Sequence, residues 1–202
     1  SIPQYISTIH LHFKAFSKIE NLNSFVNLRV IYLENNCISK IENLDHLPNL
    51  QVLQLSNNFI DSFEEVSKNP TLRILSLSHN RIKYVPDIKL PYLETLNLDS
   101  NLIEWIKDVE NLRNFSKLSV LGLSDNNIEN DTNIEYNELG SITEENVSEL
   151  LLFKVLRDIA DLKVFYFKGN DLLRKIPNYR RRMIKELENL TWKQLDDLQT
   201  VF

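Results

Sequence analysis

A repeated pattern of aliphatic residues and asparagine runs through most of this chain and limits its possible folds more than any other feature. The pattern L-x-x-L-x-L-x-x-N-x-I recurs at intervals of 22, 22, 21 and 25 residues, starting at Leu28, Leu50, Leu72, Leu93 and Leu118. A weaker copy begins at Ile6, and a further copy begins at Leu162. The sequence therefore predicts seven similar units that stack along one axis.

Each unit has room for one short strand and one return segment. Alternate leucines of the strand point inward, and the chain must then turn and come back within a few residues. The return segments keep a spacing of three, as at Ile38, Ile41 and Leu44, which favours 3₁₀ or short helical turns. The prediction is an α/β leucine-rich repeat solenoid with a curved parallel sheet on the concave face, short helical or 3₁₀ turns on the convex face, and a C-terminal helical cap.

An asparagine occupies the same position in six of the repeats. Its side chain both donates and accepts hydrogen bonds, so an inward asparagine can satisfy buried backbone groups of its own and the neighbouring repeat. The first repeat has Lys14 there, and lysine accepts no hydrogen bond, so the first coil is predicted to form an edge. The predicted asparagine ladder consists of Asn36, Asn58, Asn80, Asn101, Asn126 and Asn170.

The whole chain, residues 1–202, is predicted to form a single domain. Residues 130–160 are interpreted as an insertion, with a polar loop followed by a long convex-side helix that starts after Thr143 and reaches Ile159. Residues 171–202 are predicted to cap the last coil, with a helix from about residue 180 to residue 190. The predicted repeats start near residues 6, 28, 50, 72, 93, 118 and 162.

Composition and motifs point away from catalysis. The three glycines are too few and too far apart for a GxGxxG turn or a GxxxxGK phosphate loop. His10 and His12 point to the same side with Glu34 nearby, but a metal site needs a further well-placed ligand, so surface histidines are predicted. Cys37 is predicted to be semi-buried and inert. We therefore predict no enzymatic activity, no cofactor, no metal and no small-molecule substrate.

The charge balance disfavours nucleic acid and membranes as partners. The net charge is −5, which gives no broad attraction to phosphates or anionic lipid. No apolar run approaches the about 20 residues of a spanning helix, and a single cysteine fits a reducing compartment, so a cytoplasmic location is predicted. One basic cluster leaves two interpretations open, RNA or acidic-partner contact and a solvated cap helix, of which we favour the second. The cluster consists of Arg174, Lys175, Arg180, Arg181, Arg182 and Lys185.

Several motifs are more specific than the repeat itself. The short repeats resemble the cytoplasmic leucine-rich subfamily that includes a protein phosphatase regulatory subunit and a spliceosomal protein. The segment from Leu11 to Leu22, which ends in IENL, and the ending from Ile176 (IPNYRR) to Asp197 resemble the leucine-rich repeat axonemal dynein assembly factors. The chain departs from that family at Asp171, where the family usually has proline.

This resemblance implies a non-enzymatic cytoplasmic scaffold that helps to assemble dynein arms before their transport into cilia or flagella. The partners it implies are dynein chains, chaperones or sibling assembly factors. Two alternatives stay open: a regulatory binding subunit of a protein phosphatase, and a leucine-rich component of an RNA–protein complex.

The repeat pattern by itself predicts a binding surface. Residues between the inward leucines point to the concave face, where small polar residues in the middle leave a trough for a helix or loop of a protein partner. Tyr32 and Tyr166 are the predicted anchors, because aromatic residues dominate binding hot spots. A partner on the convex side is the alternative. The predicted contact residues are His10, His12, Tyr32, Glu34, Gln54, Ser76, Asn97, Asp99, Tyr166 and Lys168.

Overall fold

Seven three-residue parallel strands form one open sheet in the computed structural model, which describes residues 3–129 and 150–187. The strands are β1 (Thr8–His10), β2 (Val30–Tyr32), β3 (Val52–Gln54), β4 (Ile74–Ser76), β5 (Thr95–Asn97), β6 (Val120–Gly122) and β7 (Val164–Tyr166). Each strand lies beside the strand of the next repeat, so the order in space follows the order in the chain. The predicted solenoid with a parallel sheet is confirmed.

The central residue of each inner strand points into the core. Leu53, Leu75 and Leu96 are fully buried, whereas the residues on either side of them are partly exposed. This alternation follows from the two-residue period of a strand. Leu55 and Leu77, two positions further on, are also fully buried, and burial of one such side chain contributes about 1.5–3 kcal/mol relative to exposure. The inward leucines therefore share one continuous interior.

Short helical turns occupy the return segments of the third and fifth repeats, as predicted, whereas the first, second and fourth repeats have only turns and bends there. The 3₁₀ helices are Glu64–Lys68 and Ile106–Asn114, and a third, Pro3–Tyr5, precedes β1. In the second repeat the return segment has no regular helix, but Ile38 and Ile41 are still buried at a spacing of three. Burial of the aliphatic side chains at that spacing, rather than a continuous hydrogen-bonded helix, thus holds this return segment on the sheet.

The predicted ladder asparagines are buried and bridge neighbouring coils. The Nδ2 of Asn58 donates to the carbonyl of Leu33 in the previous coil and to that of Leu55 in its own coil, both at 3.0 Å. Its Oδ1 accepts a hydrogen bond from the Ile38 backbone at 2.9 Å. The later ladder asparagines repeat this pattern. Each side chain thus satisfies three buried backbone groups on two coils.

The first coil lacks a ladder asparagine and is held by the second coil. The Oδ1 of Asn36 accepts hydrogen bonds from the backbones of Lys14 and Phe16, at 3.1 and 3.0 Å, and its Nδ2 donates to the carbonyl of Leu11 at 2.9 Å. No described strand lies on the outer side of β1. Phe13 and Phe16 remain 72% and 41% exposed there, as expected for an edge of the solenoid.

A second set of amide hydrogen bonds, which the sequence analysis does not predict, joins the return segments. Asn69 is buried and donates to the carbonyl of Leu44 at 2.8 Å. Asn43 donates to the carbonyl of Ile19 at 2.7 Å, and Asn111 makes the corresponding hydrogen bond to the coil before it. The coils are therefore joined by side-chain amides on the convex side as well as next to the sheet.

The residue before each ladder asparagine turns the chain with a left-handed backbone. This conformation costs little for asparagine, aspartate and glycine and more for larger residues. The φ angle is positive at all six of these positions, which are Asn35, Asn57, His79, Ser100, Asp125 and Gly169.

Replacement of Gly169 by alanine is expected to lower the free energy of unfolding by about 1–3 kcal/mol. The φ of Gly169 is 79°, and an added Cβ would lie 2.2 Å from Asp125 Oδ1 and 3.1 Å from the Asp125 Cα. Urea denaturation measures the loss. His79→Gly, at the corresponding turn, is the control and should stay within about 0.5 kcal/mol of the wild type. A Gly169→Ala variant as stable as the wild type would contradict the crowding seen here.

The long helix predicted from Thr143 to Ile159 is wrong at Leu150. That residue is buried and has an extended backbone, with φ −54° and ψ 132°, and helix α1 (Leu151–Arg157) begins only after it. The chain is thus extended where it enters the core. Helix α1 then packs against the 3₁₀ helix Ile106–Asn114 of the fifth coil and buries Phe153. The rest of the predicted insertion, residues 130–149, lies outside the described residues.

Among the described residues up to 187, two helices follow β7 and cover the last coil. They are α2 (Leu172–Lys175) and α3 (Tyr179–Glu186), so the predicted cap helix begins one residue earlier than expected and α3 ends at Glu186. In α3, Met183 is fully buried, whereas Ile184 is only partly covered. Residues 188–202 of the predicted cap lie outside the described residues. In the described ranges, no helix has the length and apolar character to cross a bilayer.

Candidate protein-binding face

The sheet register aligns one outward-pointing position from every strand across the concave face. His10 pairs with Tyr32, Tyr32 pairs with Gln54, and the series continues to Tyr166. The side chains in this row are exposed or partly exposed, and the row is interrupted by Gly122, which is buried. We call the row the central column; it consists of His10, Tyr32, Gln54, Ser76, Asn97, Gly122 and Tyr166.

Two further rows flank the central column. The first strand positions form the aliphatic column, which consists of Thr8, Val30, Val52, Ile74, Thr95, Val120 and Val164. On the other side, backbone hydrogen bonds between coils continue past the strands. They align the polar column, which consists of His12, Glu34, Ser56, Ser78, Asp99, Ser124 and Lys168. The ten predicted contact residues therefore lie together, in the central and polar columns.

Aromatic rings are clustered at the N-terminal end of this face. The rings of His10 and Tyr32 are stacked with their centroids 4.6 Å apart and their planes at 3°. His12 meets His10 edge to face at 5.9 Å, and Phe13 meets His12 in the same way at 5.7 Å. The alternation of strand residues predicts that His10 and Tyr32 are neighbours, but only the structure shows that they stack. The cluster presents rigid aromatic surface to solvent, which suits a binding anchor.

The middle of the face is lined by short side chains. The hydroxyl of Ser78 donates to that of Ser56 at 2.9 Å, and Ser56 and Ser76 share a hydrogen bond of 2.8 Å. These hydroxyls satisfy one another across neighbouring coils, so they need no partner from outside. Short side chains here leave a trough between the aromatic ends of the face.

Asp99 reaches across Gly122 to the next coil. Its Oδ1 accepts a hydrogen bond of 2.7 Å from the backbone of Ser124. A Cβ at Gly122 would lie 2.7 Å from the same oxygen, so a side chain at this position would displace the carboxylate. The Oδ1 of Asn97 also accepts a hydrogen bond from the Asp99 backbone, at 2.9 Å. Gly122 therefore keeps the trough open and allows Asp99 to hold its position.

The candidate metal and thiol residues are placed as follows. Among residues 3–129 and 150–187, no three histidine, cysteine or acidic side chains lie close enough to hold a metal ion. Cys37 is exposed, so the prediction of a semi-buried thiol is wrong. It lies between the inward-pointing Asn36 and Ile38, and the alternation of the chain therefore directs it to solvent.

The basic cluster of the cap is partly neutralised by acidic neighbours. Lys175 lies 2.5 Å from a Glu129 carboxylate oxygen, and Arg174 lies 3.5 Å from Asp171. Arg180 and Arg181 are exposed on α3. Lys185 is also exposed on α3, whereas Arg182 is half-buried, so the six basic residues do not form one open basic surface.

A second surface, which the sequence analysis missed, is formed by residues that follow the ladder asparagines of the third, fourth and fifth coils by one to six positions. Its exposed residues occupy the same turn of neighbouring coils, and we call it the rim: Phe59, Arg81, Tyr84, Leu102, Trp105 and Lys107. The Arg81 guanidinium lies 4.7 Å above the Phe59 ring, and Lys107 lies 5.7 Å from the Trp105 ring. A hydrogen bond from the Tyr84 hydroxyl to Glu64, at 3.1 Å, raises the pKa of Tyr84. The position directly after a ladder asparagine is the signal that predicts half of this surface, namely Phe59, Arg81 and Leu102.

The repeat, the parallel sheet and the amide ladder together define a leucine-rich repeat protein. The family model for leucine-rich repeats in two copies matches residues 26–68 and 70–114. A TLR13–ssRNA13 complex superposes with a TM-score of 0.57 and 27% identity over 83% of this chain and 21% of that one. A leucine-rich repeat protein of Leptospira interrogans superposes with a TM-score of 0.54 and 22% identity, over 84% of this chain and 44% of that one, which shows the shared fold.

Within this class, the chain is similar to the dynein axonemal assembly factors. It is 42% identical, over 193 residues, to the dynein axonemal assembly factor 1 homologue of Drosophila pseudoobscura pseudoobscura, which is 94% of this chain and 11% of that protein. The Drosophila melanogaster homologue is 31% identical over 103 residues, or 51% of this chain and 6% of that protein. The resemblance inferred from the terminal motifs is confirmed. The chain spans 6% to 11% of the length of these curated relatives.

Proposed function

We propose that this chain is a non-enzymatic, protein-binding scaffold that takes part in the assembly of axonemal dynein arms. The observation that carries the proposal is the 42% identity to a dynein axonemal assembly factor 1 homologue over 94% of this chain. The exposed concave face supports it, because its three columns form a broad surface with aromatic residues at both ends.

The scaffold acts by offering a face that is already in its binding shape. The amide ladder fixes the coils relative to one another, so a partner does not have to order this surface when it binds. Stacked His10 and Tyr32 anchor the partner at one end, and Tyr166 anchors it at the other. The partners we propose are dynein chains, chaperones or sibling assembly factors, met in the cytoplasm before transport to the cilium or flagellum.

Disruption of the gene in a source organism with motile cilia or flagella tests the function. The expected result is loss of dynein arms from axoneme cross-sections in the electron microscope, together with loss of motility. Reintroduction of the wild-type gene should restore both. Axonemes that keep a full set of arms after disruption would overturn the proposed function, as would a source organism that builds no motile axoneme.

The amount of axonemal dynein retained from a cytoplasmic extract of ciliating cells is expected to fall about tenfold or more in a Tyr32→Ala, Tyr166→Ala double variant. The reason is that truncation of aromatic anchors causes the largest losses of binding energy at interfaces. The immobilised chain serves as bait, and the retained dynein chains are quantified by mass spectrometry.

The matched control carries the same two changes at Tyr84 and Tyr92, which are 44% and 56% exposed and lie outside the three columns. It should retain as much dynein as the wild type. Loss of retention in this control instead of the concave variant would assign the partner to another surface. Circular dichroism should show that both variants keep the wild-type fold.

A further inference from the structure

The aliphatic column carries an inference that deepens the proposed scaffold function and rests on it. Its members are β-branched and paired from strand to strand, and from Val30 onwards they are partly exposed. Val30, Val52 and Ile74 form an unbroken apolar stripe across three neighbouring strands, and Val120 and Val164 continue it beyond Thr95. The stripe runs at right angles to the strands, along the axis of the solenoid.

We propose that this stripe binds an amphipathic α-helix of a protein partner, laid across the strands. A partner that lies on the stripe meets only side chains of the sheet, because the backbone groups of the strands form hydrogen bonds within the sheet plane. An extended segment buried here would leave its own N–H and C=O groups without partners. A helix satisfies these groups internally and presents apolar side chains on one side.

The dimensions of the face fit such a helix. Neighbouring strands lie about 4.8 Å apart, so the six strands β2 to β7 that carry the stripe span about 24 Å, which is the length of about 16 helical residues. Beside the stripe, Ser76 and Gly122 leave room for the helix backbone to approach. A helix of about four to five turns, with one or two apolar residues per turn, therefore covers the stripe.

The charged residues of the polar column determine which side of the partner helix carries basic residues and in which direction the helix runs. One carboxylate oxygen of Glu34 is covered and accepts no hydrogen bond from any residue of the described ranges. Glu34 as a whole is partly exposed, so a turn of its side chain towards the partner helix would let a lysine or arginine there supply the missing donor. Glu34 lies near one end of the row and Lys168 lies at the other. The helix dipole therefore favours a helix that starts above Glu34 and ends above Lys168.

Selection of peptides on the immobilised chain tests the proposal. The probe is a phage-displayed library of random 20-residue peptides. The enriched sequences should carry apolar residues at a spacing of three and four with lysine or arginine beside them, and should become helical on binding by circular dichroism. Enriched peptides that bind in an extended form, or a library that yields no binder, would overturn the proposal.

Variants of the chain locate the bound helix. Val52→Lys with Ile74→Lys should weaken the selected peptide at least tenfold, and Glu34→Gln should weaken it by about three- to tenfold and reduce its salt dependence. If the lysine variant fails to fold, Val52→Thr with Ile74→Thr replaces it as the test. This variant keeps the branched shape of the side chains and should also weaken binding of the peptide. The matched control is Phe59→Lys with Leu102→Lys on the rim, both 43% exposed, and it should bind as the wild type does. Binding that the control abolishes and the stripe variants leave unchanged would overturn the proposal.

The two proposals fail separately. If the chain retains axonemal dynein but selects no helical peptide, the proposed scaffold function stands and the proposed helix-binding stripe is wrong. If the chain selects helical peptides on the stripe but retains no dynein, the helix-binding stripe stands and the proposed role in dynein assembly is wrong.

Discussion

Replacement of Leu77 by alanine should lower the free energy of unfolding by about 2–5 kcal/mol. Leu77 is fully buried, and its counterparts in the neighbouring coils, Leu55 and Leu98, are fully buried as well. The truncation leaves a cavity between two coils whose spacing is fixed by the amides of Asn80 and Asn101. Because the coils cannot move together to fill the cavity, the loss should fall in the upper half of that range. Equilibrium denaturation in urea measures it.

Leu102→Ala is the matched control for this change. Leu102 is 43% exposed on the rim, so its truncation removes the same atoms without leaving an enclosed cavity. The expected loss is below about 1 kcal/mol. Equal losses at the two leucines, or no loss at Leu77, would contradict the interior described here.

Asn80→Ala is expected to lower the free energy of unfolding by about 2–4 kcal/mol. The Asn80 Nδ2 donates to the carbonyls of Leu55 and Leu77, at 2.9 and 3.1 Å, and its Oδ1 accepts from the backbone of Ile60 at 2.9 Å. The three backbone groups are buried, and alanine would leave all of them without these hydrogen bonds. Thermal unfolding followed by circular dichroism measures the effect as a lower midpoint.

Asn127→Ala provides the comparison for the ladder. Asn127 is exposed directly after the ladder residue Asn126, and its truncation should change stability by less than about 0.5 kcal/mol. If Asn80→Ala and Asn127→Ala had the same midpoint, the ladder would contribute nothing specific to stability.

The concave face was predictable because strand residues alternate and the repeats have nearly equal lengths. Once Leu53 and Leu75 are assigned inward, Gln54 and Ser76 must point outward in line with each other. The same argument places Val52 and Ile74, yet their role as a stripe is not evident from composition. Only their exposure in the folded sheet shows that these aliphatic side chains are accessible to a partner.

Features that depend on non-periodic contacts escaped the sequence analysis. The convex-side amide of Asn69 lies outside the repeat consensus, so nothing in the spacing marks it. The extent of α1 depends on where Leu150 enters the core, and the burial of Met183 depends on how α3 is rotated against the last coil. Helical spacing gives the period of an apolar face but not its rotation or its ends.

The sequence by itself determined the number of coils, the inward leucines, the ladder and the rows that share a face, because each follows from a fixed period repeated along one axis. The tertiary structure decided which outward side chains are accessible and which contact one another. The His10–Tyr32 stack and the passage of Asp99 over Gly122 join different coils. Such contacts depend on side-chain conformation and on the distance between coils, and neither is encoded in the spacing of residues within one repeat.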